Sequence, residues 1–327
     1  MPSRRRRVVF AVLLAACTLG ALAAVLASVQ AGDSAQSAAA GARDALPAAR
    51  DAARPMVVYG AKGGQVAVAP LADPGRRTLT PLRCDRVHFA AGTGLCLARG
   101  GGFAAGYRAR VFGPDLRVRH EVDVAGVPSR ARVSPDGRYG SVTLFVTGHS
   151  YAAAGSFSTE TTLIDLRRGE RIANLEEFTV TREGRQVTAE DVNFWGVTFA
   201  RDSDRFYATM ATGGKTYLIE GSVSARAART LHENVECPSL SPDGTRLAYK
   251  RRTDSDERPW RLTVLDLATL RETPLAELRS VDDQAEWLDD EHVLYGIDDE
   301  IEVVRADGGG RPGRFAAGAG SPAVVRW

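Results

Sequence analysis

The C-terminal stretch Pro322-Ala323-Val324-Val325-Arg326-Trp327 has the pattern of a strand that opens a repeat. One complete repeat begins at Pro238 and passes through the turn Ser241-Pro242-Asp243-Gly244 into alternating strands. Near the N-terminus, the run from Met56 to Leu82 has the same pattern but lacks an opening strand. The C-terminus supplies a strand of the missing kind, and ring closure of this sort is typical of β-propellers. The sequence therefore predicts an all-β propeller closed by its last strand, which pairs with the N-terminal blade.

Six blades are predicted from two independent columns of apolar residues. The first column holds the anchors, each of which ends an opening strand: Phe89, Val133, Phe199, Leu240, Trp287 and Val324. The second column marks the third strands: Val68, Val111, Ile164, Ile219, Leu265 and Val304. The anchor spacings are 44, 66, 41, 47 and 37 residues, against roughly 40–45 for a propeller blade. The gap of 66 requires an insertion, for which residues 148–158 and 176–193 are the candidates.

The turns after the anchors carry a resemblance to a known family. In Ser134-Pro135-Asp136-Gly137 and Ser241-Pro242-Asp243-Gly244, proline presets φ and glycine follows where φ can be positive. At these turns the chain resembles the TolB-like β-propellers, and the resemblance covers Met56 to Trp327. It implies the fold and leaves function open, because one propeller fold hosts many activities. The sequence has no counterpart of the α/β domain that precedes the propeller in TolB, so a role in a Tol-type complex is not expected.

The N-terminus predicts export. Arg4 to Arg7 precede 22 uncharged, mostly apolar residues, 8–29. As a helix this stretch would be about 33 Å long, which is enough to cross a bilayer core about 30 Å thick. The arginines predict a cytoplasmic N-terminus and an extracytoplasmic propeller. We expect residues 1–30 to be an uncleaved anchor in the cytoplasmic membrane. The alternatives are secretion after cleavage at Ala31 and lipidation at Cys17. Residues 31–55 have the composition of a flexible tether.

The charge balance restricts the partners. The formal net charge is +2, and Arg4 to Arg7 contribute +4 of it, so the rest of the chain carries −2. A near-neutral exported domain lacks the concentrated basic face that nucleic-acid binding requires. The expected partner is an envelope protein or peptide, and no cofactor is expected.

Three cysteines follow the apolar segment: Cys84, Cys96 and Cys237. Disulfides form in oxidising compartments outside the cytoplasm, and we expect Cys84 to pair with Cys96, leaving Cys237 buried and unpaired. Hairpin geometry argues against this pair, because a turn at 91–94 would place Cys96 opposite Phe89.

Motifs for catalysis are weak. Gly148-His149-Ser150-Tyr151-Ala152 nearly matches the nucleophile elbow of serine hydrolases, but the elbow needs a following helix that the sequence does not provide. Gly213-Gly214-Lys215-Thr216 is expected to be a hairpin turn. The five histidines show no metal-ligand spacing. No catalytic residue and no metal site are predicted.

One column suggests a binding site. Four residues before the anchors stand Asp85, Ser129, Trp195, Glu236, Asp283 and Gly320, with Asp191 and Asp282 nearby. We expect them to ring one mouth of the channel, where carboxylates and an aromatic residue could bind a basic peptide, a cation or a sugar. The alternative is that they are solvated loop ends. The sequence thus predicts a membrane-tethered, non-enzymatic interaction or scaffolding module of the cell envelope. The alternatives are a ligand-sensing or carbohydrate-binding propeller and, less favoured, a hydrolase or lyase.

Overall fold

The computed structural model describes residues 55–100, 106–147 and 157–326. These residues form six sheets, or blades, whose innermost strands surround a central channel, and the strand pairs within the sheets are antiparallel except for one pair in the fourth blade. One turn of 3-10 helix, Leu175–Glu177, is the single helical element of the described ranges. The prediction of an all-β, six-bladed propeller is confirmed.

The first three blades have four strands each. From the innermost strand outward, blade 1 contains β26 (Ala319–Val324), β1 (Met56–Ala61), β2 (Gln65–Pro70) and β3 (Thr78–Arg83). Blade 2 contains β4 (Arg86–Ala90), β5 (Thr93–Arg99), β6 (Tyr107–Phe112) and β7 (Val118–Val124). Blade 3 contains β8 (Val127–Val133), β9 (Tyr139–Thr147), β10 (Ser158–Asp165) and β11 (Glu170–Asn174).

The other three blades follow the same order, and blade 4 is the largest. Blade 4 contains β14 (Asn193–Phe199), β15 (Arg205–Thr212), β16 (Lys215–Ser222), β17 (Ala227–Glu233), β12 (Thr179–Arg182) and β13 (Arg185–Gln186). Blade 5 contains β18 (Glu236–Leu240), β19 (Arg246–Arg252), β20 (Trp260–Asp266) and β21 (Glu272–Pro274). Blade 6 contains β22 (Glu286–Trp287), β23 (His292–Ile297), β24 (Glu300–Arg305) and β25 (Gly313–Ala317).

The ring closes as the sequence predicts. β26 is antiparallel to β1, with Val324 opposite Val57. The strand starts at Ala319, a few residues earlier than its apolar run indicates. Beyond it, the carbonyl oxygen of Arg326 accepts a hydrogen bond of 2.7 Å from the amide of Ala91. The C-terminal segment therefore completes blade 1 and also ties it to blade 2.

The hydrophobic core lies between neighbouring blades. The cluster between blades 1 and 2 combines Val58 and Val68 with Phe89 and Phe112. The anchors at Phe89 and Trp287 are 0% and 1% exposed. Because side chains alternate along a strand, burying the anchors between sheets turns the residue before each anchor towards the channel.

The long anchor spacing is explained by extra strands on blade 4. β12 runs parallel to β17 and extends this sheet to six strands, with β13 at its edge. These strands fall in the candidate insertion 176–193. Most of the other candidate, 148–158, lies outside the described residues.

A disulfide joins Cys84 to Cys96, with their Cα atoms 5.4 Å apart, and Cys237 is buried and unpaired. The register suggested by the sequence is wrong, because Cys96 lies opposite Val87 and not opposite Phe89. The turn is shorter than expected: Ala91 and Gly92, with φ of 45° and 75°, form it alone.

No helix in the three described ranges is long and apolar enough to cross a membrane. The predicted anchor, residues 8–29, and most of the tether lie outside those ranges.

Candidate functional site in the channel and a neighbouring cleft

Two levels of polar side chains line the channel. We call the residues that directly precede the anchors the lower tier: His88, Arg132, Thr198, Ser239 and Glu286. Residues that stand three positions before the anchors, and so two positions before the level of the lower tier, form the upper tier: Arg86, Arg130, Gln284 and Ser321. The spacing of two positions follows from the strand repeat, which returns a side chain to the same face every second residue.

Arg132 connects four blades across the channel. Its guanidinium donates to Glu286 Oε2 at 2.5 Å and lies 2.9 Å from His88 Nε2. It also donates to Ser239 Oγ at 3.2 Å. A second arginine, Arg326, donates to the other oxygen of Glu286 at 2.8 Å. The lower tier is therefore a bonded network that holds blades 2, 3, 5 and 6 together.

The network sets the charge states of its members. Burial alone would raise the pKa of Glu286, but the positive charges of Arg132 and Arg326 lower it to about 2. Burial and the neighbouring Arg132 lower the pKa of His88 to about 3. At neutral pH the carboxylate is therefore charged and the imidazole is neutral.

A cleft of about 320 Å³ lies beside blade 4, at the end of the channel where the innermost strands β14 and β18 begin. We call it the blade-4 cleft. It is bordered by Phe157, Ser158, Glu190, Asp191, Val192, Asn193, Trp195, Ala211, Thr212, Gly214, Lys215, Thr216, Glu236 and Arg252. Its volume lies within the range of small-molecule pockets, roughly 300–1,000 Å³.

Glu236 is the charged group buried deepest in the blade-4 cleft. The residue is 0% exposed, and its Oε1 accepts a hydrogen bond of 3.2 Å from Arg252 Nε. Its Oε2 is buried and has no hydrogen-bond partner among the described residues. Leaving a buried acceptor without a partner costs about 1–3 kcal/mol, more for a charged group. This second oxygen can therefore accept a hydrogen bond from a ligand.

An aromatic wall and charged groups complete the cleft. Phe157 and Trp195 meet edge to face, with ring centroids 5.3 Å apart. Asp191 accepts hydrogen bonds from Thr212 Oγ1 at 2.6 Å and from the amide of Gly213 at 2.7 Å, which lower the pKa of its carboxyl. Lys215 lies 2.7 Å from Glu233, whose hydrogen bond and charge raise the pKa of the amine.

Comparison with known proteins identifies the architecture. TolB from Acinetobacter baumannii superposes with a TM-score of 0.55 at 14% identity, covering 84% of this chain and 67% of that one. A nidogen–laminin complex gives a TM-score of 0.55 at 10% identity, covering 83% and 97%. No protein-family model matches, and no curated sequence matches.

The fold is a propeller of the kind seen in TolB. A second TolB relative, a putative TolB from Agrobacterium tumefaciens, gives a TM-score of 0.50 at 10% identity, covering 82% of this chain and 91% of that one. A puromycin-hydrolysing peptidase of Mycobacterium tuberculosis gives 0.51 at 15% identity, covering 80% and 43%. At such identities the likeness concerns the fold, so the function of this propeller must be argued from its own residues.

The residues of the predicted binding column lie at or close to the starts of the innermost strands, but they border separate cavities. Asp85 borders a cavity of about 210 Å³ near blades 1 and 2, and Asp283 borders another of about 490 Å³ near blades 1 and 6. Ser129 is buried, and its carbonyl accepts a hydrogen bond from Arg86. Gly320 borders both of these cavities, and Trp195 and Glu236 meet in the blade-4 cleft.

Bulges in the innermost strands explain this dispersal. The ladder register shifts after Pro128 in β8, after Trp195 in β14 and after Glu236 in β18. In β14 the extra residue is at Gly196, with φ of 67°, and a Cβ there would lie 2.6 Å from the Cα of Cys237. A bulge bends the strand and redirects its side chains. Trp195 is consequently 1% exposed, not the exposed aromatic that the column suggests.

Sequence reasoning missed the lower tier, although a signal was present. Polar residues directly precede five of the six anchors: His88, Arg132, Thr198, Ser239 and Glu286. A column of polar residues in strands that are otherwise apolar indicates a face that lines a polar channel. The column four residues before the anchors contains carboxylates, but bulges lie between it and the anchors in three of the strands.

The described residues contain no group of three or more His, Cys, Asp or Glu side chains that could hold a metal ion. The nucleophile-elbow motif at Gly148 to Ala152 lies outside the described residues. Gly213 and Gly214 form the two-residue turn between β15 and β16, as expected for a hairpin.

Proposed function

We propose that this TolB-like propeller is a non-enzymatic protein-interaction module that binds an envelope protein or peptide through the blade-4 cleft. The observation that carries the proposal is the buried Oε2 of Glu236, which has no partner among the described residues. A buried carboxylate oxygen of this kind favours an incoming N–H donor, because a charge-assisted hydrogen bond contributes about 1.5–3 kcal/mol.

The charges of the cleft suit a basic side chain. Three carboxylates border it, Glu190, Asp191 and Glu236, against the two cations Lys215 and Arg252. The local balance is therefore negative. A lysine or arginine side chain of the partner would supply both the missing hydrogen-bond donor and a compensating charge.

The charged side chains of the channel are paired with one another, which supports binding over catalysis. Arg132, Glu286 and Arg326 are bonded to one another, and Lys250 Nζ donates to Asp282 Oδ1 at 2.7 Å. A catalytic acid or base must reach a substrate proton within hydrogen-bonding distance. These described groups instead pair with one another, as expected of a structural network.

Export and tethering through residues 8–29 are part of the same proposal. The first described strand, β1, begins at Met56, whose carbonyl accepts a hydrogen bond from Val325 at the far end of β26. The blade-4 cleft lies at the opposite channel end, near the starting residues of β14 and β18, Asn193 and Glu236. A tether attached before Met56 would thus leave from the face opposite the cleft. A partner in the cleft would then not compete with the membrane for space.

Photo-crosslinking in intact cells tests the proposed interface. A photoreactive residue at Lys215, on the rim of the cleft, is expected to capture a specific protein. The matched control carries the same residue at Lys62, in the corresponding hairpin of blade 1 and also exposed. Equal capture of the same protein from both positions would contradict the blade-4 cleft as the interface.

The second arm uses isosteric substitutions. Glu236→Gln should weaken capture at least about tenfold, because it removes the charge that the donor meets. Glu121→Gln, which changes a carboxylate on blade 2 paired with Arg108 and Arg110, should leave capture unchanged. Undiminished capture by a folded Glu236→Gln protein would exclude the carboxylate as the contact. Binding of a small glycan with no captured protein would instead favour the carbohydrate-binding alternative.

A further inference from the structure

One side of blades 4, 5 and 6 carries an acidic arc, which we define as the four connectors 187–192, 253–259, 275–285 and 298–299. Two of them precede innermost strands and two join the second strand of a blade to the third. All four therefore lie on the side where the innermost strands begin. Each of these connectors has a net charge of −2, whereas on the same side of blades 1 and 2 Lys62 and Asp85 cancel.

The acidic arc is continuous with the blade-4 cleft. Its first connector supplies three of the residues that border the cleft, and its second starts directly after Arg252, which also borders it. Where the second connector ends, the amide of Trp260 donates to Ser280 Oγ at 3.2 Å and so contacts the third. Arg279 of the third donates to Asp298 Oδ2 of the fourth at 3.4 Å. The four connectors therefore adjoin one another from the cleft to blade 6.

The exposed carboxylates of the acidic arc outnumber the cations beside them. Within the described ranges, six are exposed and have no ion-pair partner: Glu190, Asp191, Asp254, Asp256, Glu257 and Asp299. Asp282 and Asp298 are left out of this count because each pairs with a cation. On the arc and its adjoining strands, the described cations without a carboxylate partner are Arg185, Arg258 and Arg261. Three negative charges therefore remain uncompensated.

A buried acceptor at one end of the arc indicates the kind of ligand. Glu236 is 0% exposed and borders the blade-4 cleft, and its Oε2 has no hydrogen-bond partner in the described ranges. That oxygen requires an N–H donor, while the exposed carboxylates attract positive charge through their combined field. Because the arc extends over three blades, a single small cation cannot contact all of it. A polypeptide segment with several lysines or arginines can.

We propose that the partner docks through a polycationic polypeptide segment, which places one basic side chain in the blade-4 cleft and further ones along the acidic arc over blades 5 and 6. The inference rests on the proposed function, because it extends the same site. Complementary charge of this kind accelerates association. Its effect weakens with added salt, since the Debye length is only about 10 Å at an ionic strength of about 0.1 M.

The first test uses a fluorescent decalysine peptide as the probe and the full chain purified in detergent. Fluorescence anisotropy is expected to show saturable binding, with an affinity that falls at least about tenfold between about 50 mM and about 500 mM sodium chloride. Spermine should bind more weakly, because it carries fewer charges and is too short to follow the arc. Spermine that binds as tightly as decalysine would overturn the assignment to a polypeptide, and the lack of saturable decalysine binding at low salt would overturn the proposal.

Two triple variants separate binding at the arc from attraction by net charge. Removing the charges of the second connector, with Asp254→Asn, Asp256→Asn and Glu257→Gln, should weaken decalysine binding at least about threefold at low salt. The matched control makes the same changes on the opposite side of blade 6, with Asp289→Asn, Asp290→Asn and Glu291→Gln. All six residues are exposed, so both proteins are expected to fold, and the control should keep the wild-type affinity. Equal weakening in both would show that the peptide responds only to net charge, and it would overturn the arc as the docking surface.

Glu236→Gln distinguishes this inference from the proposed function. If Glu236→Gln weakens photo-crosslinking of the partner while the triple variant of the second connector captures the partner and binds decalysine as the wild type does, the cleft stands as the interface and the arc is excluded. If that triple variant weakens decalysine binding but crosslinking from Lys215 captures no protein, the arc binds polycations and the proposed envelope partner is excluded.

Discussion

His88 shows how one residue responds to a charged channel. Its two ring nitrogens meet different donors: the amide of Val133 lies 3.2 Å from Nδ1, and Arg132 lies 2.9 Å from Nε2. Nδ1 accepts a hydrogen bond from this amide in the neutral ring, and protonating Nδ1 would place an N–H group against the same donor. The same geometry that links blades 2 and 3 therefore keeps this imidazole neutral, in agreement with the lowered pKa.

A pH dependence of stability follows. The pKa of His88 falls from its ordinary 6.5 to about 3 on folding, so the unfolded state binds the proton more tightly. The contribution is complete above pH 6.5 and is lost as the pH falls towards 3, by up to about 1.4 kcal/mol per pH unit. His88→Gln places an amide oxygen near Arg132 and should remove this loss. The measurement is the urea-unfolding free energy at pH 7 and pH 5.

The comparison with the variant is necessary because Glu176 changes stability in the opposite sense. Burial raises the pKa of its carboxyl to about 7, so its contribution improves as the pH falls. His120→Gln on blade 2 is the matched control and should keep the wild-type pH slope. A His88→Gln protein that loses as much stability as wild type between pH 7 and pH 5 would contradict a neutral His88.

Residue-level prediction from the sequence succeeded for the anchors and failed for Trp195. Anchors such as Phe89 stand in strands where apolar and polar residues alternate, so this two-residue period alone predicts that the anchors are buried. Trp195 precedes a bulge at Gly196, and one extra residue changes the side to which its neighbours point. The glycine inside a strand pattern was the available warning. The hydrogen bonds of Arg132 could not be predicted, because they join residues far apart in sequence.

Among the elements, β26 is expected to contribute most to the integrity of the ring. Deleting Pro322 to Trp327 removes the end of β26 and uncovers the backbone groups of β1. We expect a loss of several kcal/mol out of the roughly 5–15 kcal/mol typical of a domain. Urea unfolding of the truncated chain measures it. An equal-length deletion at residues 40–45, in the predicted tether, should leave the midpoint unchanged. A truncated protein that unfolds at the wild-type midpoint would contradict closure by this strand.

The disulfide acts at the entrance to blade 2. It closes a loop with a sequence separation of 12 between Cys84 and Cys96, and restricting the unfolded chain in this way contributes about 3 kcal/mol. Cys84→Ser with Cys96→Ser should therefore lower the unfolding free energy by about 2–4 kcal/mol. A reducing agent should have the same effect on the wild type and none on the double variant. Equal stability of the reduced and oxidised wild type would contradict a contributing disulfide.

Element prediction depended on local signals. The Pro-Asp-Gly turns at 135–137 and 242–244 revealed the blade repeat, and the six-blade count followed. The parallel pairing of β12 with β17 had no such signal, because it joins an insertion to the edge of a sheet formed later in the chain.

At the scale of the whole molecule, the prediction concerns orientation. Arg4 to Arg7 should hold the N-terminus inside the cell and the propeller outside. Protease added to intact spheroplasts is expected to degrade or release the propeller, while a cytoplasmic marker protein stays intact. Digestion that occurs only after lysis would show that the orientation is wrong.

The pairing of β1 with β26 also has a consequence for folding kinetics. Val57 meets Val324, so a contact of very high sequence separation must form before the ring is complete. Folding rates fall as such non-local contacts increase. During synthesis and export β1 must wait, with an unpaired edge, until the last residues emerge. Blade 1 is therefore expected to be the last blade to form. Until then the unpaired edge of β1 is the place where a nascent chain would aggregate or bind a chaperone.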